Sequence, residues 1–134
     1  MPQMIFVNLP ITDLARSRAF YEGLGWTINE KFSDAGGACV VVSDTIYLMI
    51  LTHEKFAGFA TKPLASPATT TAVMTAFSAD SRAAVDAMAE AALKHGGAED
   101  KPALDMGFMY GRTFQDPDGN VLEAFWMDPA AVAG

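Results

Sequence analysis

The strongest constraint on the fold is a pattern of predicted elements that occurs twice along the chain. In the first half, a strand-like run leads into the helical segment "TDLARSRAFYEGLGW", for which Thr12 or Asp13 is the N-cap. In the second half, a strand-like run leads into "SRAAVDAMAEAALKHGG", where Asp80 takes the capping position. Asp13 and Asp80 lie 67 residues apart, half of the 134-residue chain. The sequence therefore predicts an internal duplication.

Further strand-like runs follow each helix. In the first half they cover residues 26–31, 38–43 and 45–52, and in the second half the last two cover 108–115 and 120–127. The segment "AEDKPALDMG" between them has the pattern of either a short strand or a loop. The predicted fold class is α+β, with two tandem βαβββ modules forming a curved mixed sheet around a cup.

One compact domain spanning residues 1–134 is expected, because the chain is 51% hydrophobic and too short for two independent cores. We place module one at residues 1–53, a linker at 54–70 and module two at 71–134. The linker contains Pro63 and Pro67 and is predicted to hold at most one helical turn, around residues 56–59.

Composition excludes several classes of partner and site. A net charge of −7 argues against nucleic acid or an anionic membrane surface as a partner, but is compatible with a neutral or cationic small molecule. Cys39 is the single cysteine, so no disulfide framework is expected, and it is predicted to be buried filler. The start "MPQMIFVNLP" lacks the pattern of a signal peptide, which predicts a cytoplasmic location.

Two segments, "LPITDLARSRAFYEGLGW" and "YGRTFQDPDGNVLEAFW", resemble the vicinal-oxygen-chelate superfamily, which includes glyoxalase I, extradiol dioxygenases and the bleomycin-resistance proteins. The resemblance extends over essentially the whole chain, since the order of predicted elements matches as well. It implies the paired βαβββ fold and a homodimer in which modules pair within or across chains. Because one fold supports many activities, the resemblance leaves the reaction open.

The resemblance also directs attention to a metal site. Enzymes of this superfamily hold a divalent metal with four side chains, usually His, Gln or Glu, on the first and last strands of each module. The corresponding positions here are Phe6, Ile50, either Ala72 or Val73, and Glu123. Only Glu123 is a ligand type, so no metal is expected at the usual site. A displaced metal held by His53 with Glu123 is a weaker alternative.

Glu123 is an isolated carboxylate in an otherwise apolar strand, and two roles are open for it. It is either a general base or ligand contact in the cup, or one half of an ion pair with Arg112. If "DPDG" is a four-residue loop, Arg112 lies opposite Glu123 and both share a face with two further predicted pairs, Phe114 with Val121 and Tyr110 with Phe125. A bulge at Gly119 would shift this register by one residue.

These patterns predict a small-molecule site in the cup. Glu123 and Arg112 are the candidate catalytic residues, and the candidate ligand-binding residues are Phe6, Asn8, Ile50, Tyr110 and Phe125. One hypothesis is a glyoxalase-like protein of unassigned reaction, either lyase- or isomerase-like or dioxygenase-like, without the usual metal. The alternative is a non-catalytic protein of the bleomycin-resistance type that sequesters a bulky, often cationic drug.

Overall fold

The computed structural model describes residues 2–132 and contains two four-stranded sheets. The first module is built from β1 (Ile5–Ile11), α1 (Leu14–Gly23), β2 (Thr27–Asp34), β3 (Gly37–Val41) and β4 (Ile46–Thr52). The second is built from β5 (Met74–Ser78), α3 (Arg82–Lys94), β6 (Ala98–Asp105), β7 (Met109–Gln115) and β8 (Val121–Met127). Between them lies α2 (His53–Phe59), and α4 (Pro129–Val132) follows β8. The predicted duplication of a βαβββ unit is confirmed.

Both sheets have the same topology. Their strand orders are β1-β4-β3-β2 and β5-β8-β7-β6. In each module the first strand pairs in parallel with the last, and the remaining pairs are antiparallel. The predicted α+β class with mixed sheets is therefore confirmed, as two four-stranded sheets.

Each sheet has two unlike faces, because side chains alternate along a strand. On one face, which we call the helix face, residues such as Leu48 and Phe114 join a buried core with α1 and α3. The opposite face, which we call the open face, carries Phe6 in the first sheet and Met74 in the second, and both are substantially exposed. Residues paired across strands share a face, so the register decides which side chains meet on each face.

Two of the predicted helix boundaries need correction. Thr52 caps α2 by accepting a hydrogen bond from the Lys55 amide, so this helix covers His53–Phe59 and is longer than the single turn predicted for the linker. Ser81, not Asp80, caps α3, because its hydroxyl accepts from the amide of Ala84 three residues along. Asp13 caps α1, as predicted. Within residues 2–132, no helix has the length and apolar character that crossing a bilayer requires.

The turn between β7 and β8 fastens the second module to the first. The carboxylate of Asp116 accepts hydrogen bonds from the Tyr21 hydroxyl on α1 (2.8 Å) and from the Asn120 amide (2.9 Å). The same Asn120 amide donates to the Pro10 carbonyl on β1 (3.0 Å). Asp118 accepts from the backbone and the hydroxyl of Thr12, at 3.0 and 2.6 Å. The turn therefore fixes how the open faces of the two sheets are placed.

Candidate functional site

The register of the β7–β8 hairpin decides which residues accompany Glu123. Thr113 lies opposite Glu123, while Arg112 lies opposite Ala124 on the helix face. The predicted pairing of Arg112 with Glu123 is wrong. The structure shows instead the register shift of one residue that a bulge at Gly119 is expected to cause. The physical reason is that the loop includes Asn120 as well as "DPDG", with Gly119 at a φ of +98°.

The guanidinium of Arg112 forms ion pairs with other carboxylates. Its guanidinium lies 3.3 Å from Asp86, 3.6 Å from Glu90 and 3.4 Å from Glu99, and its side chain is only 12% exposed. Burial alone lowers the pKa of Arg112, but these carboxylates outweigh that effect and raise its pKa. Arg112 thus connects α3 and β6 to β7, and its predicted catalytic role with Glu123 is corrected.

Tyr110 also lies on the helix face. Its hydroxyl donates to Asp86 at 2.6 Å, and this hydrogen bond, with burial, raises the pKa of Tyr110. The guanidinium of Arg82 lies 5.2 Å from the ring centres of both Tyr110 and Trp126 and is held by Asp105 at 2.8 Å. The predicted place of Tyr110 beside Phe125 in the ligand site is therefore corrected, because Phe125 lies on the open face opposite Gly111.

Ile50 is placed in the core instead of at a ligand site. It is fully buried among the residues of the helix face. Its neighbour Met49 is in register with Asn8 and lies on the open face. The prediction that Ile50 contributes to a ligand site on the open face is therefore corrected. Similarly, Ala72 and Val73 precede β5, whose first residue is Met74.

Glu123 lies on the open face of the second sheet and is half-buried. Its carboxylate accepts a hydrogen bond from the Thr113 hydroxyl at 3.1 Å. Its other register partner is Ala76 on β5, and Phe125 follows two residues along on the same face. The arrangement is a carboxylate oriented by one neighbouring hydroxyl within a mainly apolar surface, suited to accepting hydrogen bonds or attracting a cation.

Phe6 and Asn8 lie on the open face of the first sheet. The Phe6 ring stacks on Tyr47 with their centres 4.6 Å apart and remains 48% exposed. Asn8 is exposed and lines a groove of about 470 Å³ with Leu51 and Phe56. The structure thus puts Phe6, Asn8, Phe125 and Glu123 on open faces, and their roles in binding stay predictions.

The residues at the expected metal positions do not fit a divalent metal. Besides Glu123, the open-face side chains of the first and last strands of the two modules include Phe6, Met49 and Met74, which supply no imidazole or carboxylate donor. Within residues 2–132, no group of three or more His, Cys, Asp or Glu side chains is arranged to hold a metal ion. His53 is exposed at the start of α2. The expectation that the chain works without a metal stays a prediction.

Asp116 is the most buried carboxylate in the described chain, at 2% exposure. Besides the side chains of Tyr21 and Asn120, the backbone amides of Asp118 and Asn120 donate to it at 2.9 and 2.8 Å. Burial raises the pKa of Asp116, although these hydrogen bonds act in the opposite direction. Burial and the neighbouring Asp116 also raise the pKa of Tyr21 well above its usual value. Asp116 is engaged between the modules and is therefore structural.

Comparisons with known proteins agree with this architecture. Residues 3–43 match the family described as bleomycin resistance protein-like N-terminal. The structure is similar to that of a glyoxalase/bleomycin resistance protein/dioxygenase family enzyme from Burkholderia phytofirmans, with 19% identity, a TM-score of 0.76, and coverage of 94% of this chain and 99% of that chain.

Two further solved structures are similar over nearly their whole length. A glyoxalase-related enzyme from Fulvimarina pelagi has 21% identity and a TM-score of 0.78, covering 94% of this chain and 88% of that one. The fosfomycin resistance protein FosX from Mesorhizobium loti has 17% identity and a TM-score of 0.71, covering 100% and 99%. No match to a curated protein was found by sequence. These findings confirm the resemblance to the vicinal-oxygen-chelate superfamily at the level of the fold.

Proposed function

We propose that this chain binds a bulky, cationic small molecule on the open face of its second sheet, with Glu123 contacting the positive charge and without a metal ion. The observation that carries the proposal is the setting of Glu123. Its carboxylate is half-exposed, oriented by the Thr113 hydroxyl, and separated from Arg112 by the sheet itself. None of the ion pairs formed within residues 2–132 includes Glu123, so its charge is available to a ligand.

The surroundings of Glu123 favour an amphipathic cation. Met74, on the same face, is 66% exposed, and Phe125 offers an aromatic ring next to the carboxylate. An apolar surface contributes through burial of the ligand's hydrocarbon, while an aromatic ring and a carboxylate both attract positive charge. The net charge of −7 would also raise the local concentration of a cation.

Sequestration agrees better with the geometry than catalysis does. Proton abstraction next to a carbonyl needs a base and also a group that stabilises the developing negative oxygen. Arg112, the predicted partner, lies on the other face, and Lys101 lies two strands away from Glu123, roughly 10 Å at the usual strand spacing. The match of residues 3–43 to the bleomycin resistance protein-like family also supports sequestration. A glyoxalase-like activity is the competing outcome.

We further propose that the protein is a cytoplasmic homodimer in which a second copy covers the open face of the first sheet around Phe6. The Phe6 ring is 48% exposed there, and aromatic side chains are enriched in interfaces between proteins. Light scattering after gel filtration is expected to give twice the chain mass of 14.3 kDa. Phe6→Lys, which puts a charge on the open face of the first sheet, is expected to shift the population towards the monomer, whereas Ala87→Lys, at an exposed position of α3, should not.

The proposed ligand class is testable with two ions of the same shape and opposite charge, tetraphenylphosphonium and tetraphenylborate. Calorimetric titration is expected to show that the cation binds the wild type and the anion does not. Glu123→Gln should weaken binding of the cation roughly tenfold, in line with the loss of one charge-assisted contact. Glu22→Gln, which removes the same charge from an exposed position of α1, is the matched control and should bind like the wild type. Equal binding by both glutamine variants would contradict the proposal.

A further inference from the structure

A cavity of about 180 Å³ lies where the two modules meet. Its floor is formed by Asn8 and Pro10 of β1 together with residues 119–121, and its roof by parts of the segment 64–73 that connects the modules. We call it the junction cavity. Of the described residues, neither Glu123 nor Thr113 nor Phe125 lines it, so it is separate from the proposed cation site.

The roof of the junction cavity is held in a defined place. The Ser66 carbonyl accepts hydrogen bonds from the Thr69 and Thr70 amides at 3.1 and 2.9 Å, which closes a turn within the connecting segment. A Cβ atom at Gly119 would lie 2.6 Å from the Pro67 carbonyl oxygen, so the backbone of the roof rests directly on this glycine. Gly119 is thus required for its positive φ and also for this close approach.

The floor of the junction cavity includes Asn120, whose hydrogen bonds also join the two modules. Asn120, which is 7% exposed and lines the cavity, donates its amide protons to the Pro10 carbonyl and to Asp116. The junction cavity therefore keeps its shape as long as the turn between β7 and β8 stays fastened to β1. It is a preformed space, as small-molecule sites usually are.

The wall of the cavity indicates which chemistry it accepts. Most of its lining is apolar, including Phe56, Leu64 and Val121, and no charged side chain lines it among the described residues. A charged ligand would lose its hydration there without compensation. The exposed amide of Asn8 provides one donor and one acceptor group for a polar substituent.

The volume sets the size of the group that the cavity itself can hold, and the cavity adjoins the groove of about 470 Å³ through Asn8 and Phe56. A cavity of about 150 Å³ in an apolar core is known to take up benzene, whereas drug-sized ligands need about 300 Å³ or more. From its volume, its uncharged wall and the Asn8 amide, we infer that the junction cavity binds an uncharged single-ring compound bearing one hydrogen-bonding group. Such a ligand places its ring against the apolar wall and its polar group against Asn8.

Titration of the ¹⁵N-labelled protein with phenol tests this inference. Phenol is expected to cause saturable shifts in the amide signals of Asn8, Thr71 and Gly119. Toluene, which lacks the hydroxyl, should bind the same place roughly fivefold more weakly, since one hydrogen bond is lost. Benzoate should leave these signals unchanged. Shifts that do not saturate, or an equal response to benzoate, would overturn the inference.

Variants separate the junction cavity from the cation site. Ala65→Phe, which fills the space from the roof, should weaken phenol binding at least roughly tenfold, given the small volume available. Ala87→Phe on the exposed side of α3 is its control. Asn8→Leu should abolish the preference for phenol over toluene while keeping toluene binding. Glu123→Gln should bind phenol like the wild type, so failure of the cation proposal and failure of this one give different results. Unchanged phenol binding in Ala65→Phe would overturn it.

Discussion

The two faces of the β7–β8 hairpin use charge in opposite ways. On the helix face, Arg112 is surrounded by three carboxylates, and Arg82 is held between two aromatic rings and Asp105. On the open face, Glu123 accepts a hydrogen bond from the Thr113 hydroxyl, and its cross-strand neighbours there are uncharged. The charged groups of the helix face are thus engaged within the fold, whereas the charge of Glu123 is the one that the proposed ligand would contact.

The turn that joins the two strands determines which side chains lie on each face. Removing the buried carboxylate of Asp116 from this turn is therefore expected to have the largest effect on stability. Asp116→Ala leaves the Tyr21 hydroxyl and two backbone amides without their acceptor and removes one of the two acceptors of the Asn120 side-chain amide. We expect a loss of about 3 kcal/mol in the free energy of unfolding, measured in urea.

The hairpin of the first module supplies the control for that experiment. Asp44 lies in the exposed turn between β3 and β4, where its backbone carbonyl, retained in alanine, accepts from the Tyr47 hydroxyl. Asp44→Ala should change the free energy of unfolding by less than about 0.5 kcal/mol. A similar loss in both variants would show that Asp116 has no special part in joining the modules.

The next largest effect is expected on the helix face. Arg112→Met keeps most of the side-chain length but leaves Asp86, Glu90 and Glu99 without their shared cation. We expect a loss of about 1–2 kcal/mol, reduced at high salt because the carboxylates are partly exposed and screened. Lys101→Met, on exposed β6, is the control and should lie within about 0.5 kcal/mol of the wild type. An Arg112 variant as stable as this control would contradict a structural role for Arg112.

A smaller effect on stability is expected from loss of the ion pair between Arg82 and Asp105 at the edge of the helix face. The hydrogen bonds from Arg82 lower the pKa of Asp105 from 3.8 to about 2. Because the pKa is lower in the folded state, the stabilisation is present above pH 3.8 and is lost as the pH falls towards 2. Urea midpoints of the wild type and Asp105→Asn should therefore differ at pH 5 and converge as the pH approaches 2. A difference independent of pH would rule out this ion pair as its source.

The smallest effect on stability is expected from a substitution of Glu123. This substitution tests directly whether the charge on the open face, unlike the charges on the helix face, is dispensable for folding. Glu123→Gln keeps an acceptor for the Thr113 hydroxyl and should change the free energy of unfolding by less than about 0.5 kcal/mol. Thr113→Val, which removes that hydroxyl from a buried position, is the comparison. A marked loss of stability in Glu123→Gln would mean that this carboxylate holds the fold together, like the groups of the helix face.

The sequence predicted the architecture well because the repeated pattern of strands and helices is local and strongly periodic. The placement of Arg112, Tyr110 and Ile50 failed for a different reason. A shift of one residue moves a side chain to the other face of a sheet, and for Arg112 and Tyr110 that shift depended on whether Asn120 belongs to the loop or to the strand. For Ile50 the reason is that residues 46–51 are all apolar or aromatic, so the sequence of β4 does not mark which side chains face the helices. Asp116 and Asp118 were visible in "DPDG", but their contacts with α1 and with Thr12, which lies between β1 and α1, come from packing between modules, which no local pattern contains.

The location of a bound cation tests the central claim most directly. Two methionine methyl groups report on the two sides of the second sheet, since Met74 lies on the open face and Met88 of α3 packs against the core. In a complex with tetraphenylphosphonium, nuclear Overhauser effects from the phenyl protons are expected at the Met74 methyl group and are not expected at Met88. Contacts at Met88, or saturable binding with no contact at Met74, would contradict a ligand site on the open face around Glu123.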